Sequence, residues 1–201
     1  MYLRTEGVIL KRRNFGEADR LVTFYTRDLG KVTALAKGVR RPRSKKAGHL
    51  ELGNWCKIFI AKGKNIDILT EVELKKGFGI EAFSENKMVR ICHLLEIIEG
   101  LTPDHQKNYD VYVLLVKFLN RIAIEEDFNL VSTAFKIKLM STLGFFSAQT
   151  LKDSKTKDIL EAFEDQDYEK IKRDLNLSAG SYLKLSSFLY SKIESLTPSR
   201  L

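Results

Sequence analysis

Apolar residues change their spacing once along this chain, and that switch limits the fold more than any other feature. Val32, Ala34 and Ala36 alternate, and Ile66, Ile68, Thr70, Val72 and Leu74 follow a strict period of two. From Met88 onward the spacing becomes three to four, as in Met88, Ile91, Cys92, Leu95, Ile98 and Leu101. A period of two suits a half-buried strand, and 3.6 suits an amphipathic helix. The strand segments are Tyr2 to Leu10, Arg20 to Thr26, Lys31 to Ala36, Trp55 to Ala61 and Ile66 to Leu74, with Gly30 and Lys62-Gly63-Lys64-Asn65 as breaks. Five short strands in such a span predict a small closed barrel, because closure removes sticky edges. An OB-type barrel is the natural candidate; an SH3-like barrel and an open sheet fit the same spacing.

The remainder reads as helices over Met88 to Leu101, Tyr109 to Ile124 and Leu130 to Leu143, the last stopped by Gly144 at a C′ position. The wide apolar face of the first of these predicts a central, mostly buried helix. Asp167 is placed to cap a short helix bearing Tyr168, Ile171 and Leu175, and Ser178 or Ser181 opens a last helix that Pro198 ends. The switch from strand to helix falls near Gly77–Ser84, which predicts domains at residues 1–80 and 81–201.

Several function classes drop out early. The longest apolar run, Val111 to Val116, is far short of the roughly 20 residues that span a bilayer. Arg4, Glu6, Lys11, Arg12, Arg13, Glu17 and Asp19 interrupt the first thirty residues, so no secretory signal is expected and the expected location is intracellular. Cys56 and Cys92 form no C-x-x-C pair, and His49, His93 and His105 form no metal-binding pattern, so neither a disulfide framework nor a metal site is expected. No phosphate-binding G-x-x-x-x-G-K-[ST] loop, G-x-S-x-G elbow or Cys/His/Asn set is present, and Glu17, Asp19 and Asp28 are too few for a metal-dependent nuclease. No catalytic residue and no cofactor is expected.

Charge gives the positive signal. The net charge of +8 is unevenly held: residues 1–80 carry 18 Lys and Arg against 8 Asp and Glu, a net of +10, while residues 81–201 carry 16 against 18, a net of −2. Basicity concentrated in this way points to a polyanion, of which nucleic acid is the commonest. The densest stretch, Lys37-Gly38-Val39-Arg40-Arg41-Pro42-Arg43-Ser44-Lys45-Lys46, holds six cations and no acid, and Gly38 and Pro42 mark it as a loop. Lys11-Arg12-Arg13 with Phe15 forms a second cluster, an aromatic among cations as single-strand binders use for stacking. Arg20 flanks the second strand. Each feature has a plainer reading: the loop as a solvated surface, Phe15 as a core residue closing a turn, Arg20 and Arg27 as partners of Asp19 and Asp28. Phe24, Tyr25, Trp55 and Phe59 are read mostly as core.

Three runs then match a known pattern. Gly7-Val8-Ile9-Leu10-Lys11-Arg12-Arg13, Gly16-Glu17-Ala18-Asp19-Arg20-Leu21-Val22-Thr23-Phe24-Tyr25-Thr26, and Gly30-Lys31-Val32-Thr33-Ala34-Leu35-Ala36-Lys37-Gly38-Val39-Arg40-Arg41-Pro42-Arg43-Ser44 together resemble the amino-terminal signature of the bacterial RecO DNA repair family. Leu69-Thr70-Glu71-Val72-Glu73-Leu74 resembles its fifth strand, Leu143-Gly144-Phe145-Phe146 its Leu-Gly-aromatic helix end, and Ser199-Arg200-Leu201 its closing stretch.

The resemblance implies an α+β protein, an N-terminal OB-fold barrel followed by an all-α helical domain. It implies binding of single- and double-stranded DNA, annealing of complementary strands, and help to RecR in loading RecA onto strands covered by single-strand DNA-binding protein, with RecF as a further partner and a cytoplasmic, nucleoid-associated location. DNA contact then falls to Lys11, Arg12, Arg13, Phe15, Arg20, Lys37, Arg40, Arg41, Arg43, Lys45 and Lys46. The acidic tail of single-strand DNA-binding protein is expected on the helix carrying Phe135, Lys136, Lys138 and Leu139, because the two apolar residues share a face and the lysines flank it; the plainer reading has Phe135 and Leu139 in the core and both lysines solvated. Two departures stand out. Many family members carry a four-Cys zinc module after the Leu-Gly-aromatic segment, whereas Ser147 to Leu151 run on here and no cysteine follows. The family's Phe-Glu-Leu is Phe135-Lys136-Ile137 here. The rival class is an RNA-binding or translation-associated OB-fold protein, which shares the barrel and the basic loop but not the extended signature.

Overall fold

A computed structural model describes residues 1–80, 83–150, 154–174 and 179–197. Five strands, β1 (Tyr2–Phe15), β2 (Asp19–Thr26), β3 (Gly30–Ala36), β4 (Trp55–Ala61) and β5 (Asp67–Lys76), form a closed barrel in the order β1-β2-β3-β5-β4. All neighbouring pairs are antiparallel except β3 with β5, and β4 returns to β1. This is the five-stranded OB-type arrangement expected from the alternation. The 14-residue β1 serves two neighbours, pairing with β4 over Tyr2 to Val8 and with β2 over Gly7 to Phe15. A register shift between Ile9 and Lys11 bends it between the two tasks, as bulges do.

Ile9, Val22, Phe24, Val32, Ala34, Ala36, Val39, Leu50, Cys56, Ile58, Ile60 and Leu69 fill the barrel. In β4 the alternation is regular, with Cys56, Ile58 and Ile60 buried and Trp55, Lys57 and Phe59 half-buried. In β5 it is not. The register shifts between Phe59 and Ile60, so Phe59 faces Glu71 and Ile60 faces Leu69, and Thr70 is the extra residue. Leu69 and Val72 therefore meet the core, while Ile66 and Leu74 are exposed. The unbroken period of two expected over Ile66 to Leu74 is thus split by a bulge, which Thr70 steadies by donating from Oγ1 to the Phe59 carbonyl at 3.0 Å.

Among the described residues six α-helices follow: α1 (Glu85–Leu101), α2 (Tyr109–Ile122), α3 (Phe128–Thr142), α4 (Ser154–Asp165), α5 (Tyr168–Asp174) and α6 (Ala179–Leu196). The chain forms two compact units, Met1–Leu119 and Asn120–Leu201. In the first, α1 lies against β1, buried along Ile91, Leu94, Leu95, Ile97, Ile98 and Leu101. Lys31 is buried there with its ammonium on the Glu99 carbonyl at 2.6 Å and the Asp104 carboxylate at 3.4 Å. Asn108 Oδ1 accepts from the amides of Asp110 and Val111 as α2 begins. That helix stops at Ile122, and Ile124 is exposed.

In the second unit the enclosed helix is α3, which meets α4, α5 and α6 and is buried at every position from Leu130 to Phe135. The central role expected for Met88 to Leu101 falls instead to α3, because α1 belongs with the barrel. Asp127 caps α3 by accepting from the Leu130 amide at 3.0 Å. Gly144, at φ 75°, ends it with two bonds, from Gly144 N to Ser141 O and from Phe145 N to Met140 O, both 2.9 Å. These are the paired bonds of a Schellman end, whose left-handed residue favours glycine. α5 begins directly after Asp167, whose carbonyl accepts from Lys170 and Ile171. Leu175, Ser178, Pro198 and the Ser199-Arg200-Leu201 stretch lie outside the described residues.

Candidate nucleic-acid interface

Register brings the two basic clusters to one end of the barrel. Arg20 at the start of β2 sits opposite Asn14 near the end of β1 and Ala36 at the end of β3. The loop leaving β3 is tied to the tip of the β1–β2 hairpin. The Gly38 amide donates to Asp19 Oδ1 at 2.7 Å, the Arg40 amide to the Ala18 carbonyl at 2.9 Å, and Arg40 Nη1 to the Gly16 carbonyl at 3.3 Å. Gly38 lies at φ 64°, where a side chain is strained. The Arg41 amide then returns to the Gly38 carbonyl at 3.2 Å, closing a turn that carries Arg40.

The candidate cations divide by what they touch. Lys37, Arg40, Arg41, Arg43 and Lys45 are exposed on this loop, and Arg13 and Phe15 are exposed on β1 and its tip. Lys11 is exposed and lies 3.6 Å from Glu99. Arg20 is half-buried, its Nε donating to Asn14 Oδ1 at 3.4 Å. Arg12 and Lys46 are tied into the barrel. Alternation turns Arg12 away from Lys11 and Arg13, onto the Leu50 carbonyl at 3.3 Å and the Glu51 carboxylate. The Lys46 ammonium donates to the carbonyls of Leu69 and Thr70, at 3.4 and 2.5 Å. These two shape the loop's return path, and the other cations form the charged surface. In sequence Asp19 reads as an ion-pair partner of Arg20 or as one of too few carboxylates for a nuclease; nothing in its neighbours in sequence marks an acceptor for an amide nineteen residues away.

The aromatics sort similarly. Phe24 is enclosed in the barrel; Tyr25 is buried, and that burial pushes its pKa up to about 12, while its hydroxyl donates to the Asn108 carbonyl at 3.3 Å. Trp55 Nε1 donates to the Tyr112 hydroxyl at 2.9 Å, and the Lys75 ammonium sits 4.1 Å from the Trp55 ring centre. Arg4 covers Phe59 at 5.2 Å. Phe15, 47% exposed, is the aromatic beside the cations. Arg27 and Asp28 follow the far end of β2, where Asp28 accepts from Thr5 Oγ1 at 2.8 Å, so Asp19 and Asp28 do not converge. Among the described residues no group of three His, Cys, Asp or Glu side chains is placed to hold a metal ion.

The barrel and the helices after it each match a family model, described as Recombination protein O N terminal over residues 1–78 and Recombination protein O C terminal over residues 86–150. The chain belongs to the RecO family. Relatives named DNA repair protein RecO include that of Symbiobacterium thermophilum, 32% identical over 141 residues that cover 70% of this chain and 56% of the relative. That of Heliobacterium modesticaldum is 32% identical over 145 residues, 71% of this chain and 51% of the relative. That of Caldicellulosiruptor bescii is 31% identical over 163 residues, 80% of this chain and 66% of the relative. The chain spans from about half to two thirds of the length of these relatives.

The RecO C-terminal match includes α3, where the partner tail was expected. Phe135 and Leu139 are 3% and 0% exposed, Lys138 donates to the Glu164 carbonyl at 2.9 Å, and Lys136 is half-buried. Phe135 and Leu139 thus lie on the interior face of α3, in agreement with the plainer reading of this helix. The two cysteines lie apart in β4 and α1, Cys56 buried and Cys92 half-buried. No described helix is long and apolar enough to cross a membrane.

Proposed function

We propose that this chain is a non-enzymatic DNA-binding recombination mediator of the cytoplasm and nucleoid. It binds single- and double-stranded DNA, anneals complementary strands and, with RecR, helps load RecA onto strands covered by single-strand DNA-binding protein, with RecF as a further partner. The observation that carries this reading is the seam between the hairpin tip and the basic loop, which holds Lys37 and Arg40 beside Arg13 and Phe15 at one barrel end. Exposed cations gathered at one surface neutralise phosphates and release counterions on binding, and an exposed ring offers a base a stacking surface. Screening two backbones at once is what annealing requires. RecO-family membership supports a role in DNA repair.

The test uses the full chain with labelled single-stranded DNA, duplex DNA and RNA of equal length, followed by annealing of complementary DNA strands. DNA is bound with strong salt dependence, near −0.7 in log–log slope per phosphate on single strands. Lys37→Glu with Arg40→Glu abolishes annealing and leaves melting nearly unchanged, since exposed substitutions cost within about 0.5 kcal/mol. Annealing that survives the double substitution places the DNA surface elsewhere, and a preference for RNA selects the rival class.

A further inference from the structure

We propose that Asp19 is a positioning residue for the basic loop, its carboxylate holding Lys37-Gly38-Val39-Arg40 in the path that offers Lys37 and Arg40 together to a phosphate backbone. The inference rests on the DNA-binding reading above. By charge alone Asp19 is misplaced: a carboxylate amid Arg13, Arg20, Lys37 and Arg40 repels a polyanion within a Debye length of about 10 Å. Its geometry explains it. Oδ1 takes the Gly38 amide at 2.7 Å, at the residue whose left-handed backbone turns the chain out of β3. Hydrogen bonds that involve an ionised acceptor are the short, strong kind. The next two links, from Arg40 to the Ala18 and Gly16 carbonyls, come from the same hairpin tip and follow once Gly38 is held. Arg40 and Lys37 are both exposed on the segment held in this way.

Charge and position make opposite predictions, which gives the test. Labelled single-stranded DNA is titrated with the full chain at several salt concentrations, for the wild type, Asp19→Ala, Asp19→Asn, and Lys37→Glu with Arg40→Glu. If Asp19 acts by position, Asp19→Ala weakens binding although it makes the surface more positive. Loss of one phosphate contact flattens the log–log salt slope by about 0.7 and lowers affinity about fivefold at 0.1 M salt. Asp19→Asn keeps the acceptor and loses the charge, so it binds more tightly than the wild type. Tighter binding by Asp19→Ala, or an unchanged slope, overturns the proposal. So does equal binding by Asp19→Asn and Asp19→Ala, which lose the same charge and differ in the acceptor, compared at a temperature where circular dichroism shows both folded. Wild-type affinity in the Lys37→Glu, Arg40→Glu chain overturns the DNA reading and the inference together. Loss of binding there with none in Asp19→Ala removes the positioning role alone.

Discussion

Arg12 and Arg13 are neighbours on one strand and do different work. Pleating sends Arg13 outward to solvent and Arg12 inward to the Leu50 carbonyl and the Glu51 carboxylate. Arg12→Ala leaves a half-buried carboxylate and a carbonyl without their donor, and hydrogen bonds to charged groups contribute about 1.5–3 kcal/mol. The expected result is a loss of stability of that order in urea unfolding, with the salt slope of DNA affinity unchanged. Arg13→Ala is the mirror case: stability within about 0.5 kcal/mol of the wild type and a slope shallower by about 0.7. A pair of urea curves and salt titrations separates the two roles.

Among the elements, α3 organises the second unit, and both of its ends are chemically closed. Asp127 takes up the Leu130 amide at the start, and the Gly144 turn satisfies the Ser141 and Met140 carbonyls at the end. Removing an N-cap acceptor costs typically about 1 kcal/mol, and placing a Cβ in the left-handed region costs roughly 1–2 kcal/mol. Asp127→Ala and Gly144→Ala are therefore expected to lower stability by these amounts in denaturant unfolding. Because the sites lie at opposite ends of one helix with no shared partner, the double substitution costs the sum of the two. Neither change is expected to alter the salt slope of DNA binding, since the proposed interface lies on the barrel. A loss of DNA affinity from either would show that the second unit contributes to the surface.

At the scale of the whole molecule, the barrel carries the positive charge, and buried groups in it and on α2 set an alkaline limit. Burial pushes the Cys56 thiol from an ordinary 9.0 up to about 12. Burial does the same to Tyr25, from 10.0 to about 12, and burial together with the nearby Glu6 carboxylate does so to Tyr112. Each group keeps its proton more firmly in the fold than in the unfolded chain. Above the unfolded pKa, the unfolded state binds fewer protons, so stability falls with rising pH. Full stability is expected below about pH 9, with a decline from there to about 12 set first by Cys56 and then by the tyrosines. Thermal melts across this range check the trend. Cys56→Ala removes the earliest part of the decline, so its melting temperature falls with pH only once the tyrosines begin to ionise.

The order of strands and helices, the excess of cations in the barrel and the glycine stop after α3 were all legible in the linear chain, because each depends on local spacing or local backbone freedom. The family signature was legible for a related reason: residues 7–44 hold β1, the hairpin tip, β3 and the basic loop in one continuous run. The bulge at Thr70 was not legible, since an uninterrupted period of two and one broken by an unpaired residue differ only in their partner strand. Nor was the burial of Phe135 and Leu139, because an apolar i, i+4 pair reads the same whether other helices cover it or not. The division of labour among the cations was decided by tertiary structure alone. Lys37, Lys46, Arg12 and Arg13 are equivalent as letters, and only barrel closure puts backbone carbonyls and Glu51 beside two of them while leaving the others at the surface. The same closure turns Asp19 from an acid near an arginine into the acceptor that holds the loop, since the amide it meets lies on another strand's exit.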